Sequence, residues 1–146
     1  PLGHGTLLLG LQRGFEALLA AGLIPRLPRL IGVQARPCAP LWAVQHFGAQ
    51  GLGWVTEGAT IAEGIRVVQP VRGDAVLAAI RASGGTCLVV DEDAILPARA
   101  ALARQGLYVE PTAAVVWAAL TELPPDVEVT GPLVAVLTGH GLKSAA

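Results

Sequence analysis

The sequence predicts an α/β fold with a mostly parallel sheet and helices on both of its faces. Short apolar segments alternate with helical segments at the spacing of βα units, which is the pattern of this class. Residues 86–90 form a continuous apolar run, Thr-Cys-Leu-Val-Val, and such runs are typical of parallel strands that are covered on both faces. Because no internal repeat and no long linker appear, residues 1–146 are expected to form a single α/β domain.

Five helices are predicted from apolar periodicity and from residues that favour helix ends. Residues 7–22 carry leucines three and four positions apart, which places these leucines on one helical face. Pro40 and Pro111 suit the first turn of a helix. Asp74 is a favourable N-cap residue, and the acidic residues 91–93 suit a helix N-terminus. In chain order, the predicted helices cover residues 7–22, 40–50, 74–82, 91–105 and 111–120.

The predicted strands are short and apolar, and segments that carry glycine or proline separate them from the helices. Residues 60–65 are expected to form a helical turn, and residues 51–57 and 123–130 are expected to form loops. In chain order, the predicted strands cover residues 29–34, 66–68, 86–90 and 133–137, with a shorter extended piece at residues 107–109.

Composition and charge exclude several classes of protein. Ten basic residues are balanced by eleven acidic ones, the formal net charge is −1, and no basic cluster appears, so no nucleic-acid partner is expected. Every apolar run is broken well short of the roughly 18 residues of a bilayer span, and no signal peptide is visible, so no membrane partner is expected. Two cysteines are too few for a disulfide framework, which favours a reduced, cytoplasmic compartment.

The segment Gly3–Thr6, Gly-His-Gly-Thr, comes directly before the first predicted helix. Glycines allow a tight turn, and the N–H groups and partial positive charge of a helix N-terminus suit a phosphate group. An ordinary glycine turn is the alternative interpretation. A dinucleotide-binding fingerprint is absent because Leu8 stands where its third glycine would be. Since a phosphate loop follows a strand, the chain is expected to begin partway through a βα unit.

Two further positions are candidates for contact with a ligand. Thr138 follows the strand predicted at residues 133–137, and its hydroxyl can form one hydrogen bond at the carboxyl edge of the sheet. Glu110 is held extended by the proline that follows it, at the start of a predicted helix. The three His and two Cys show no zinc spacing, and a helix N-terminus explains residues 91–93 better than a metal site does, so no metal is expected.

Four segments occur together in a characteristic order, at residues 3–8, 57–65, 109–114 and 137–143. Together they resemble the C-terminal part of a threonine synthase-like enzyme, which belongs to the fold type II (tryptophan synthase β-like) pyridoxal-phosphate enzymes. The resemblance covers essentially the whole chain. It implies pyridoxal 5'-phosphate as the cofactor and a homodimer when the protein is full length. The cofactor-binding residues that it implies are Gly3, His4, Gly5 and Thr6 at the phosphate, Thr138 at the pyridine nitrogen and Glu110 near the ring.

The resemblance implies a lyase of amino-acid biosynthesis that carries out elimination or replacement on an amino acid such as O-phosphohomoserine. The small-molecule partner is therefore an amino-acid substrate. In this family the Schiff-base lysine lies well before the phosphate loop, so the chain is expected to be a C-terminal fragment with no catalytic residue and no activity of its own. Lys143, the only lysine, is a poor Schiff-base candidate because a frayed terminus cannot hold it rigidly.

Three other functions stay open at this point. Threonine synthases often have Asn where His4 and His140 stand, so a threonine or serine dehydratase-like lyase is one alternative. The second is a non-catalytic module that binds a phosphate-bearing ligand, and the third is an interaction domain whose exposed apolar faces dimerise. The ending Thr-Gly-x-Gly-Leu-Lys at residues 138–143 favours the threonine synthase type.

Overall fold

The computed structural model describes residues 1–125, 127 and 129–144, and five α-helices and two β-strands form within them. None of the helices in this described part of the chain is both long enough and apolar enough to cross a membrane. In chain order the elements are α1 (Thr6–Ala20), β1 (Ile31–Ala35), α2 (Pro40–Phe47), α3 (Gly73–Ala82), β2 (Thr86–Val90), α4 (Glu92–Arg104) and α5 (Pro111–Thr121). Short 3-10 turns lie at Arg36–Cys38, Gly48–Trp54, Glu63–Ile65 and Gly141–Lys143.

Strands β1 and β2 are parallel neighbours, and their register places Ile31 opposite Thr86. Successive side chains of a strand point to opposite faces of the sheet. Val33 and Leu88 belong to a core that is formed with α4 and α5. Cys87 belongs to a second core, formed with α1, α2 and α3. Helices therefore cover both faces of a parallel sheet, and the predicted fold class is confirmed.

Large aliphatic side chains fill both cores. Ile95 and Leu102 of α4 and Val115 of α5 lie in the first core, and each is 1% exposed or less. Leu2 and Ile80 take the same role in the second core, at 1% and 0% exposure. Complete burial of such a side chain stabilises the folded state by about 1.5–3 kcal/mol. The two cores therefore hold the helices firmly against the sheet.

Most predicted elements are observed, with shifts at their ends. The strand predicted at residues 86–90 is β2, and the strand predicted at residues 29–34 appears as β1, slightly later in the chain. The helix predicted at residues 40–50 is shorter, because α2 ends early and continues as the 3-10 turn Gly48–Trp54. That turn occupies part of the segment predicted as a loop.

Asp74 is not the N-cap residue of α3: Arg72 takes that position, and Asp74 lies in the first turn. A carboxylate in the first turn still interacts favourably with the helix dipole, which explains the same sequence preference. Of the loop predicted at residues 123–130, residues 126 and 128 lie outside the described part of the chain.

The strands predicted at residues 133–137 and 66–68 are wrong, because neither segment pairs with a strand among the described residues. An apolar run forms a strand only where a neighbour satisfies its N–H and C=O groups. Strands β1 and β2 pair with each other instead. As a result, 42% of Leu133, 83% of Val134 and 38% of Val136 are exposed.

Replacing Ile95 with alanine should destabilise the protein, because Ile95 is completely buried in the first core. The cavity should lower the free energy of unfolding by about 2–5 kcal/mol. The matched control is Leu96→Ala, since Leu96 is the next residue of α4 and is 55% exposed. The control should change stability by no more than about 0.5 kcal/mol. Urea unfolding followed by tryptophan fluorescence measures both, and equal losses would contradict this description of the core.

Candidate functional site

The segment Gly3–Thr6 forms a tight loop that leads into α1. Gly5 is the N-cap residue of α1 and has a φ of 82°, a left-handed conformation that favours glycine. A Cβ atom at this position would also overlap the side chain of Val76 in α3. Both constraints require glycine here, and the absence of a side chain lets the loop backbone approach α3 closely.

The N-terminus of α1 offers N–H groups to a ligand. Its N-cap residue, Gly5, provides no side-chain cap. The Leu9 N–H donates to the Gly5 carbonyl over 2.9 Å, and the N–H groups ahead of it have no partner within the helix. These groups and the helix dipole favour an anion such as a phosphate. His4 and Thr6 are exposed in the same loop.

The residue before the loop is anchored on β1. The Leu2 N–H donates to the Val33 carbonyl over 2.8 Å. The Leu2 carbonyl accepts a hydrogen bond from the side-chain amide of Gln34 over 3.2 Å. The Leu2 side chain lies against Gly32, where a Cβ atom would overlap it. The loop therefore starts from a backbone position that β1 holds in place.

The 3-10 turn Glu63–Ile65 connects the loop to the N-terminus of α5. Gly3 packs against this turn so closely that a Cβ atom on Gly3 would lie 3.2 Å from the Gly64 carbonyl oxygen. The Gly64 N–H donates to the hydroxyl of Thr112 over 3.0 Å. Thr112 lies in the first turn of α5 and is buried. The turn therefore lies between the loop and α5 and contacts both.

Glu110 and the segment that contains Thr138 meet at the start of α5. Glu110 is the N-cap residue of α5, and its N–H donates to the Gly139 carbonyl over 3.0 Å. The Glu110 side chain lies so close to Gly139 that a Cβ atom there would overlap it. Val109 and His140 form an antiparallel bridge next to this contact. Thr138, the residue before Gly139, is exposed, and Glu110 is half-buried.

Burial makes both cysteines poor nucleophiles. It raises the pKa of Cys87 to about 12, and it also raises the pKa of Cys38.

A hydrogen bond from Arg36, in contrast, lowers the pKa of Asp91, and the Asp91 side chain does not cap α4. Over residues 1–125, 127 and 129–144, no group of three His, Cys, Asp or Glu side chains is placed to hold a metal ion.

The structure arranges the predicted site residues in two groups. The loop Gly3–Thr6 is the first group, and Glu110 with Thr138 is the second. The two groups are linked by the turn Glu63–Ile65, which contacts Gly3 on one side and the first turn of α5 on the other. The first group offers backbone N–H groups and a helix dipole, which favour an anion, and the second offers a hydroxyl and a carboxylate.

Gln34 and Thr112 take part in the site, although the sequence analysis does not assign them to it. A signal for Gln34 exists, because it is a lone polar residue in an otherwise apolar strand. For Thr112 the signal is weak, since a threonine that follows a proline is an ordinary helix start. Its partner Gly64 is 48 residues away, and no local pattern connects the two.

Comparison with known proteins identifies the family of this chain. Residues 1–139 match the family described as "Pyridoxal-phosphate dependent enzyme". The chain is 35% identical over 147 residues to the threonine synthase of Methanosarcina acetivorans. It is 32% identical over 146 residues to the threonine synthase of Methanocaldococcus jannaschii. In both cases the match covers 98% of this chain and 36% of the relative.

A solved structure agrees with these relatives. The crystal structure of the T.th. threonine deaminase matches with a TM-score of 0.60 and 26% sequence identity, over 84% of this chain and 42% of that chain. The fold is thus that of a fold type II pyridoxal-phosphate enzyme. The chain belongs to the pyridoxal-phosphate-dependent enzyme family. The resemblance seen in the sequence is confirmed, as is pyridoxal phosphate as the cofactor of the family. The chain spans 36% of the length of the two threonine synthases.

Replacing Gly5 with alanine should weaken phosphate binding by about tenfold or more, a cost of about 1.4 kcal/mol. The reason is that alanine is strained at a φ of 82° and would displace the loop from Val76. Gly10→Ala is the control, because Gly10 lies in α1 and a Cβ atom there meets nothing within 4 Å. Calorimetric titration of the native gene product with inorganic phosphate measures the affinity. An unchanged affinity in Gly5→Ala would contradict the assignment of the loop.

Proposed function

We propose that this chain is the C-terminal, cofactor-binding part of a pyridoxal-phosphate-dependent lyase of the threonine synthase type. One observation carries the proposal: the glycine loop at the N-terminus of α1 is linked through one short turn to the start of α5, where Glu110 contacts Gly139, the residue after Thr138. A cofactor with a phosphate at one end and a pyridine ring at the other needs both groups. The threonine synthase names of the relatives support this reaction type.

The loop binds the cofactor phosphate in this proposal. The N–H groups of the first turn of α1 donate hydrogen bonds to the phosphate oxygens, and the helix dipole stabilises their negative charge. The side chains of His4 and Thr6 are exposed in the loop, and each has a hydrogen-bond donor for a phosphate oxygen. The residues that contact the phosphate are Gly3, His4, Gly5 and Thr6.

Thr138 donates its hydroxyl hydrogen bond to the pyridine nitrogen, and Glu110 lies near the ring. A hydroxyl partner leaves the nitrogen unprotonated, which favours elimination and replacement over transamination. When bound, pyridoxal phosphate supplies the electron sink for this chemistry, and the protein supplies binding and orientation. The backbone hydrogen bond between Glu110 and Gly139 holds Gly139, the neighbour of Thr138, at the start of α5.

The proposed substrate is an amino acid such as O-phosphohomoserine. A threonine or serine dehydratase-like reaction is the second candidate, and one observation favours it. The similar solved structure is a threonine deaminase. The family resemblance points the same way, because threonine synthases often have Asn where this sequence has His4 and His140. A module that only binds a phosphate-bearing ligand is the remaining alternative.

The proposal assigns the Schiff-base lysine to a part of the protein outside these 146 residues. The relatives support this assignment, because the chain covers 36% of their length. Lys143 is an unsuitable substitute, because it is exposed in the turn Gly141–Lys143, whereas a Schiff-base lysine is activated by desolvation. The chain alone is therefore expected to be inactive, and the full-length protein to be a cytoplasmic homodimer.

Absorption measurements and product assays on the native full-length gene product test this function. Addition of pyridoxal phosphate should give a visible absorption band, and borohydride should fix the cofactor on one lysine outside this chain. O-Phosphohomoserine should then take up one water and give threonine and phosphate. Release of ammonia and 2-oxobutanoate from threonine would establish the dehydratase instead. Phosphate binding without covalent attachment of the cofactor to a lysine would support the binding module. A stable dimer that does not bind phosphate would support an interaction domain.

Replacing Thr138 with alanine should lower kcat by about tenfold, because the pyridine nitrogen loses its hydrogen bond. The absorption maximum of the bound cofactor should shift as well. Thr56→Ala is the matched control, since Thr56 is an exposed threonine outside the site. Steady-state kinetics and absorption spectra of both variants give the comparison. A Thr138→Ala protein with the wild-type kcat and spectrum would exclude the proposed contact.

A further inference from the structure

Gln34 is a completely buried polar side chain in β1, with an exposed fraction of 0%. Its side-chain oxygen accepts hydrogen bonds from the N–H groups of Leu41 and Trp42, each over 3.0 Å. Its Nε2 donates to the Leu2 carbonyl over 3.2 Å. One side chain therefore joins three parts of the structure: β1, the first turn of α2 and the residue next to the glycine loop.

The partners of Gln34 determine the orientation of its amide. Two N–H donors require the side-chain oxygen, and the Leu2 carbonyl requires the NH₂ group. The N-cap residue of α2, Ala39, provides no side-chain cap, so Gln34 caps this helix from another element. A glutamate would place an oxygen against the Leu2 carbonyl, and an aliphatic side chain would leave all three backbone groups unpaired. The site therefore requires both a donor and an acceptor on one side chain.

We propose that Gln34 is a positioning residue for the phosphate loop. By holding the Leu2 carbonyl, it determines where the Gly3–Thr6 backbone begins and in which direction the N–H groups of that loop point. Gly3 and Gly5 pack against neighbouring elements by van der Waals contact, whereas Gln34 provides a directional hydrogen bond at the entrance to the loop. Gln34 acts through Leu2 and does not touch the ligand. The inference rests on the proposed function, in which this loop binds the cofactor phosphate.

The test compares two ligands that differ by the phosphate, pyridoxal phosphate and pyridoxal. In the native full-length protein, Gln34→Glu should raise the dissociation constant for pyridoxal phosphate about tenfold. The dissociation constant for pyridoxal should not change, because pyridoxal does not use the loop. As the pH falls, the affinity of Gln34→Glu for pyridoxal phosphate should approach that of the wild-type protein, because a protonated glutamic acid can again donate to the Leu2 carbonyl.

Gln45→Glu is the matched control. Gln45 also bonds through both ends of its amide, to the Cys87 N–H over 2.8 Å and to the Thr86 hydroxyl over 3.0 Å. It connects α2 to β2 and does not reach the loop, so both dissociation constants should remain at wild-type values. An equal loss of affinity for both ligands in Gln34→Glu would show a general structural role and overturn the inference. Wild-type affinities of Gln34→Glu at the alkaline end of the pH series, where the glutamate is ionised, would also overturn it.

The wild-type protein gives a second measurement that does not depend on the folding of a variant. Pyridoxal phosphate should shift the NMR signals of the Gln34 side-chain amide and leave those of Gln45 in place. Pyridoxal should shift neither. Unchanged Gln34 signals on binding of pyridoxal phosphate would contradict the inference. If the wild-type protein binds both ligands equally well, the proposed phosphate site fails, and that outcome is distinct from failure of the role of Gln34.

Discussion

The rest of the candidate site depends on how Leu2 is held against β1. Its N–H and its carbonyl are both bonded, to Val33 and to the side chain of Gln34, and its side chain is 1% exposed. A shift of this residue would leave buried polar groups unpaired, at a cost of about 1–3 kcal/mol for each. Because Gly3 follows directly, this contact with the sheet holds the residue from which the glycine loop starts.

The two cores hold the other parts of the candidate site next to that loop. From one face of the sheet, α3 places Val76 against Gly5. On the other face, α5 packs in the first core and places Glu110 and Thr112 at its N-terminus. The short turn Glu63–Ile65 lies between the loop and α5. Binding groups that stand on rigid elements need little rearrangement when a ligand arrives, which suits a cofactor that must be oriented.

An apolar run in this sequence becomes a strand only where a neighbouring strand is available. The apolar run at residues 86–90 becomes a strand because β1 is available beside it. The equally apolar residues 133–137 pair with no strand in the described part of the chain, although their side chains suit a strand as well. The difference is the presence of a neighbour, which no local pattern contains. For the same reason the glycine loop before α1 is predictable, whereas its anchor Gln34 is not assigned to the site.

The sequence alone establishes the α/β class, the order of most elements and the four segments that indicate a pyridoxal-phosphate enzyme. Backbone preferences and the apolar face of each helix or strand are local properties, and a sequence displays them directly. The assembly of the site is different, because it depends on contacts between distant residues. Gln34 meets Leu2 across 32 residues, and Thr112 meets Gly64 across 48. Such contacts arise only when packing of both cores brings the elements together, so they become visible only in the folded chain.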